Sequence, residues 1–585
     1  MVSESGLRWR ARLGAMTSNC ARVLWLVVLA ACVILPGTVR GQEAPATAPG
    51  ATQPSATRKP MNSSLPLVTS DEVDAFRSDQ LVSGVSPGQS LLMRSSSSLA
   101  PGLPLRNGLW AIDFIEPQFV LMRNSGLPLS QNNSAMWAGR GISTRTLTGI
   151  RVELPHVRLI IAPQIIASEN KFWLQRHPRF FEPVTPLSYI GRGYTFPYYF
   201  YTFPIDHPLS FGERRIRSVD AGESTALVYG GGFELGVSNE NQWWGPGIRN
   251  ALLLSNNAPG FPHAFIRTSR PLNTPLGGLE LRWLVGALEE SRYFDTLATN
   301  DTRSLAAIGA TLQTRWDPNL TFGLARSVYA TADKWEDVAL RWTDVFKPVT
   351  KKNPLVLDQV WAEPPLPGGR DQLLSLFARW VFPRSGAEVY AEWGRTEMPK
   401  SLAAFLKEPN HTQGYTVGME WRGDAPGPGT LRAQAEITQV EQSATFRDRE
   451  QGSWYTSNRV IQGYTHRGHI LGASIGPGAS SQFVGVDYIA PSWRLGAYAG
   501  RTRTNEDVHS TYGFPEFVAY CNHDISVYPG FRGAVSGRFG VVSADLLLQN
   551  RLSVLFQNRG GCPNTGDRLD LRNASFTLRF SPGRL

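Results

Sequence analysis

Tyr194, Phe196, Tyr198, Tyr199 and Tyr201 belong to the run YTFPYYFYTFP at 194–204, whose seven aromatics follow no alternating frame. Pyranose rings carry apolar C–H faces, and rigid aromatic rings offer them a flat surface at low conformational cost. Tyrosine adds a hydroxyl for sugar oxygens. The competing role for such a run is a hydrophobic plug filling a barrel lumen. A second group is Arg214, Arg215 and Arg217, in a chain where arginine supplies 50 of the 58 basic residues. Guanidinium binds carboxylate through two parallel hydrogen bonds, so these three could hold a uronate-bearing polyanion. Ion pairing inside a lumen would use the same residues. Trp243 and Trp244 precede the turn Gly245-Pro246-Gly247. They could stack on sugar rings, or anchor at a membrane interface beside a tight turn.

Other constellations are weaker. Gly472-Ala-Ser474-Ile-Gly476 has the letters of a nucleophile elbow. That motif needs a strand–turn–helix setting, and here it sits in alternating β sequence. His466 and His469 are three apart, which on one strand puts them on opposite faces, so no metal pair is expected. Cys521 and Cys562 fall on late loops, and a disulfide between them is expected in an oxidising compartment. No catalytic residue, cofactor or metal emerges from these patterns.

The elements that must position these groups are written with a period of two. Leu279, Leu281, Trp283 and Val285 alternate with Glu280 and Arg282; Ala387, Val389, Ala391 and Trp393 alternate with Glu388, Tyr390 and Glu392. Leu431, Ala433, Ala435 and Ile437 alternate with Arg432, Gln434, Glu436 and Thr438, and Phe576, Leu578 and Phe580 with Ser575, Thr577 and Arg579. Each segment has one apolar and one polar face. A soluble sandwich would alternate too. The polar faces, however, pair full charges as a wet lumen tolerates, and Trp110, Trp316, Trp380, Trp393, Trp421 and Trp493 sit at strand ends as an interfacial girdle requires. Short turns such as Trp316-Asp317-Pro318-Asn319 alternate with long polar connections, including 167–222 and 330–370. The fold expected is therefore all-β, a transmembrane antiparallel barrel from 106 to 585 with long extracellular loops.

Composition agrees: 11% aromatic and 18% charged residues exclude a disordered chain, and the net charge of +10 is scattered rather than striped, so no nucleic-acid partner is expected. Residues 1–41 have the layout of a secretory signal: Arg8, Arg10 and Arg12, the apolar run Val23 to Leu35, then Val39-Arg40-Gly41. Leu29-Ala30-Ala31-Cys32 also has the form of a lipoprotein cleavage box. Either places the chain outside the cytoplasm. Residues 42–66 read as a disordered tether and 67–105 as a periplasmic segment, with Ser70 capping one short helix over Ser70 to Val82.

Asn239-Glu-Asn-Gln-Trp243-Trp244-Gly245-Pro246-Gly247-Ile-Arg-Asn250, followed by Leu253 through Pro262, resembles the signature of the Wzi capsule-assembly family. Further blocks run in order from about 110 to 505. They are Asn124-Ser125 with Trp137–Gly141, Ala162-Pro163 with Ser168–Phe172, and Gln372–Pro383 leading to Glu388–Gly394; Gln462–Gly468 and Leu471–Gly478 follow. The resemblance implies an outer-membrane barrel of about eighteen strands. It also implies a lectin-like, non-catalytic role, holding capsular polysaccharide or exopolysaccharide at the cell surface. Outer-membrane lipid and the barrel-assembly machinery would be its other partners. This chain departs from the pattern in a short N-terminal helical region and in Ser-Pro-Gly-Arg-Leu585 beyond the last aromatic, Phe580. A saccharide channel is the alternative function, since charged lumen residues could line a water path.

Overall fold

The computed structural model describes residues 63–174, 204–294, 301–332, 334–347, 369–399, 401–447, 449, 451–507, 523–556 and 568–582. Among these, antiparallel strands close into a barrel of 18 spans. Closure satisfies every strand edge, which a lipid environment requires. The seam joins the first wall strand, Ala111–Asn124, to the last, Leu571–Pro582, where Phe119 stacks on Phe580. Three spans are each interrupted: Val157–Ile161 continues as Gln164–Ser168 past Ala162-Pro163, Ile216–Asp220 continues as Thr225–Gly230, and His263–Thr268 continues as Leu272–Thr274. Proline has no N–H for the ladder, which accounts for the first break.

The period-two expectation is met face by face. Val389, Val417, Ile437 and Leu578 point outward and stay exposed, while Glu388, Glu392, Arg432 and Glu436 point inward and are buried. Trp110, Trp316, Trp380 and Trp493 are exposed at the ends that carry the short turns, and Trp421 stands at that same end. Trp393 stands at the opposite, loop-bearing end.

The lumen is occupied. Ser70 caps the helix Asp71–Ser83, accepting a hydrogen bond from Val73 N, with three acidic residues in its first turn. Acids there meet the positive end of the helix dipole. The helix lies against the inner faces of Arg370–Phe382, Ala387–Arg395 and Gln413–Asp424, within the barrel rather than clear of it. Its acids pair with wall arginines: Asp71 with Arg494 at 2.8 Å, Asp74 with Arg432 at 2.9 Å and Asp79 with Arg422 at 2.6 Å. Packing begins before residue 67: Ser64 and Leu65, inside the expected tether, are fully buried, and Ser64 Oγ donates to Asp113 at 2.7 Å.

Glu388 joins the helix to the wall. Arg77 Nε donates to it at 2.8 Å, Arg379 Nε donates at 2.9 Å, and Arg77 Nη1 reaches on to the Pro246 carbonyl at 2.6 Å. Removing one partner of a buried ion pair costs about 3–5 kcal/mol. The Glu388→Ala variant, which strands two buried guanidinium groups, should therefore lose its compact, heat-modifiable gel band at a clearly lower temperature than Val389→Ala on the outer wall.

Candidate functional site

The signature segment 239–262 folds into the lumen. Gln242–Trp244 pairs with Met93–Ser95 as a two-stranded ribbon, placing Trp244 opposite Met93 and Trp243 opposite Arg94. Both tryptophans have 0% exposure, and the Arg94 guanidinium lies 4.9 Å from the Trp243 ring centroid. They stand neither at the membrane interface nor open to solvent; they are the centre of the plug.

The chain past the tryptophans is held by wall carboxylates. Glu436 accepts from the backbone N–H groups of Ile248 at 2.6 Å, Arg249 at 3.1 Å and Asn250 at 3.0 Å, and from the Tyr390 hydroxyl at 2.9 Å. Glu392 accepts from Leu252 N at 3.1 Å and Ser375 Oγ at 2.7 Å. Gly245 adopts φ +130°, and a Cβ there would lie 2.6 Å from a Glu392 oxygen, so the turn needs glycine for conformation and for space. The loop 452–479 braces the other side. The Tyr455 hydroxyl donates to Leu252 O at 3.0 Å and accepts from Ala473 N at 2.9 Å. Ser474, the elbow-like serine, donates to Asn250 Oδ1 at 3.1 Å in a loop, with neither strand nor helix beside it.

His466 and His469 are cross-strand partners in a hairpin turning at Arg467-Gly468, not neighbours on one strand. Glycine at positive φ permits that turn, which a spacing argument on one strand could not see. His466 Nδ1 accepts from Glu289 N at 3.0 Å, whereas His469 stacks on Phe211 with ring centroids 4.9 Å apart. Trp137 lies 4.8 Å from Phe211, and Tyr293 meets Phe211 edge-on at 5.9 Å. Trp137, Phe211 and Tyr293 are partly exposed at the loop-bearing end. Burial lowers the His469 imidazole to about 3, so this cluster is uncharged at ordinary pH.

Arg214 and Arg215 are exposed beside this cluster, where Asn170 Nδ2 donates to the Arg214 carbonyl at 3.1 Å while its Oδ1 accepts from Trp137 Nε1 at 3.0 Å. Arg217 is separate. It pairs with Ala167 on the outward face that also carries the exposed Ile165 and Val219. Tyr194, Phe196, Tyr198, Tyr199 and Tyr201 lie outside the described residues, as do Cys521, Cys562 and residues 1–41. Trp137, Phe211, Tyr293 and His469 carry no joint signal along the chain, because four separate loops contribute one ring each.

Together these features define a class: a closed, lipid-facing β-barrel whose lumen is plugged and whose aromatic groups gather at the loop-bearing end. Within that class, residues 218–350 match the family model described as Capsule assembly protein Wzi. No curated protein matches the chain. Among solved structures, it is similar to the Escherichia coli outer-membrane protein Wzi, involved in group 1 capsule assembly and described as a carbohydrate-binding β-barrel. Identity there is 12%, over 79% of this chain and 84% of that one, with a TM-score of 0.47. Similarity extends to Pseudomonas putida OprB, at 11% identity over 81% and 94% with a TM-score of 0.33. Pseudomonas aeruginosa OccK5 gives 9% over 81% and 98%, with a TM-score of 0.34. Scores of this size leave the architecture to be read from the chain's own strands.

Asp507 ties loops together beyond the strand Trp493–Thr504, accepting from Gln442 N at 2.7 Å. Burial pushes its carboxyl up to about 7. A raised folded-state value means the stabilisation is complete below the ordinary aspartate range and is lost as pH rises through 7. Limited proteolysis of the loops should accelerate between pH 5.5 and 8.5 in the wild type and stay level in Asp507→Asn.

Proposed function

We propose that this chain is an outer-membrane, polysaccharide-binding barrel that attaches capsular polysaccharide or exopolysaccharide to the cell surface without catalysing any change in it. The observation carrying this reading is the family match over 218–350, which contains the Trp243–Asn250 segment at the heart of the plug. The filled lumen supports retention of a ligand at the surface over its passage through the wall.

Binding takes place at the loop-bearing end, on the rings of Trp137, Phe211 and Tyr293, with Arg214 and Arg215 offering charge to acidic substituents. The aromatic run Tyr194, Phe196, Tyr198, Tyr199 and Tyr201 supplies further rings for sugar faces, and Cys521 and Cys562 form a disulfide. A cleaved export signal at 1–41 delivers the chain, the barrel-assembly machinery inserts it, and outer-membrane lipid surrounds it. Each aromatic–sugar contact contributes about 0.5–1.5 kcal/mol, by analogy with aromatic pairs. One repeat unit is therefore held weakly. A long polymer engaging many barrels at once raises its effective concentration at each site and is retained.

The test is the partition of polymer between cells and medium. Trp137→Ala combined with Phe211→Ala should shift polysaccharide from the cell fraction to the supernatant while the folded gel band persists. Unchanged cell-bound polymer in that variant and in a strain lacking the protein would overturn the reading.

A further inference from the structure

Along one row of the wall the outer face stops being purely apolar. Trp283, Ile308, Arg326, Leu374 and Arg395 stand opposite one another on five neighbouring strands. Trp283, Arg326, Leu374 and Arg395 share the outward parity of Leu281, Leu324, Leu376 and Val389, which are exposed on the same strands. Leu374 is six residues from Trp380, about 15 Å of height on a strand tilted by about 40°, whereas the apolar band of such a barrel is about 25 Å tall. The two arginines therefore stand at hydrocarbon depth, where a guanidinium must be covered.

Each is covered by a helical segment of a loop. Trp335–Leu340 continues as a 3₁₀ turn, Arg341–Phe346, lying against the strands Gly277–Glu289, Thr302–Thr314 and Leu320–Thr331. Arg326 donates to the carbonyls of Val345 at 2.7 Å and Lys347 at 2.8 Å, and to Gln372 Oε1 at 2.7 Å. Trp342 stacks on Trp283 with ring centroids 4.7 Å apart. Ala287, Ala306 and Val328, outward residues that would otherwise meet lipid, are buried beneath this segment. The loop after Arg395 repeats the device. Arg395 donates to the carbonyls of Glu397 at 3.2 Å and Pro409 at 2.9 Å, and its guanidinium lies 5.5 Å from the Phe405 ring of the helix Leu402–Lys407.

The side these segments turn away from the wall is apolar. Leu340, Trp342 and Phe346 on the first and Met398, Leu402 and Leu406 on the second are exposed, Leu340 at 73% and Leu402 at 72%. This surface continues the lipid-facing one of Leu324 and Leu376 on the strands beside it. Lysine marks the same two stretches of a chain that otherwise uses arginine: of its eight lysines, six are Lys334, Lys347, Lys351, Lys352, Lys400 and Lys407. A lysine stem runs along apolar surface while its ammonium reaches lipid phosphate.

We infer that Trp335–Phe346 and Leu402–Lys407 are embedded in the lipid leaflet at the loop-bearing end, their apolar side chains among its acyl chains and their lysines on its phosphates. The loops, and not the strands alone, thereby set how deep the barrel sits. This membrane contact goes beyond the polysaccharide reading and is independent of the polymer held.

Nitroxide labels at Leu340→Cys and Leu406→Cys, on the full chain in vesicles of phosphatidylcholine and phosphatidylglycerol, test it by electron paramagnetic resonance. Val389→Cys on the wall and Arg215→Cys in the exposed loop are the references, and unsubstituted protein supplies the background. Both test labels should match Val389 in collisions with oxygen and lose the collisions with a water-soluble nickel chelate that Arg215 shows. Adding Lys334→Gln, Lys347→Gln and Lys407→Gln together should bring part of the nickel signal back; an unchanged signal overturns the phosphate contact. Water-like accessibility at both labels would overturn the embedding. Spin–spin broadening that disappears on dilution with unlabelled protein would put a second copy there and overturn it equally. The heat-modifiable gel band reports folding of each variant. Failure of the polymer-partition test leaves these collision rates untouched, so the two readings fail separately.

Discussion

A carboxylate taken out of bulk water must find donors, and in this barrel Glu388, Glu392 and Glu436 each take some of theirs from the plug as well as from the wall. Three inward-facing acids on two wall strands thereby grip the helix through Arg77 and the signature segment through its own backbone. The demand is mutual. The N–H groups of Ile248, Arg249, Asn250 and Leu252 belong to irregular chain inside the barrel, where no ladder could satisfy them. Everything else at the loop-bearing end is built outward from this exchange: Tyr455 braces Leu252, the 452–479 loop packs on Tyr455, and the hairpin bearing His469 extends from that loop.

The barrel was legible in the sequence because lipid and lumen impose opposite polarity on alternate residues, and that pattern survives in segments such as 279–285, 387–393 and 431–437. The turn-side tryptophans were legible for the same reason, since their position at strand ends is local. Trp243 and Trp244 were not. A tryptophan at an interface and one inside a plug have the same neighbours in sequence, and what separates them is pairing with Met93–Ser95, about 150 residues away. Arg217 shows a related limit: its spacing from Arg214 and Arg215 is short, but a strand begins at Ile216 and turns its side chain to the outer wall.

The described aromatic cluster forms where loops from separate parts of the chain meet above the gripped plug, so it leaves no contiguous motif. Ser474 illustrates the hazard of reading such regions by pattern. Its flanking glycines suggest a reactive turn, whereas its hydroxyl is spent on Asn250, holding the plug's exit against the neighbouring loop.

The seam between Ala111–Asn124 and Leu571–Pro582 completes the enclosure of segment 239–262 and the helix Asp71–Ser83. A sheet left open along that seam would present Glu388, Glu392 and Glu436, together with the backbone and guanidinium groups they hold, to water instead of to one another. The buried polar exchange of the interior therefore presupposes a closed wall.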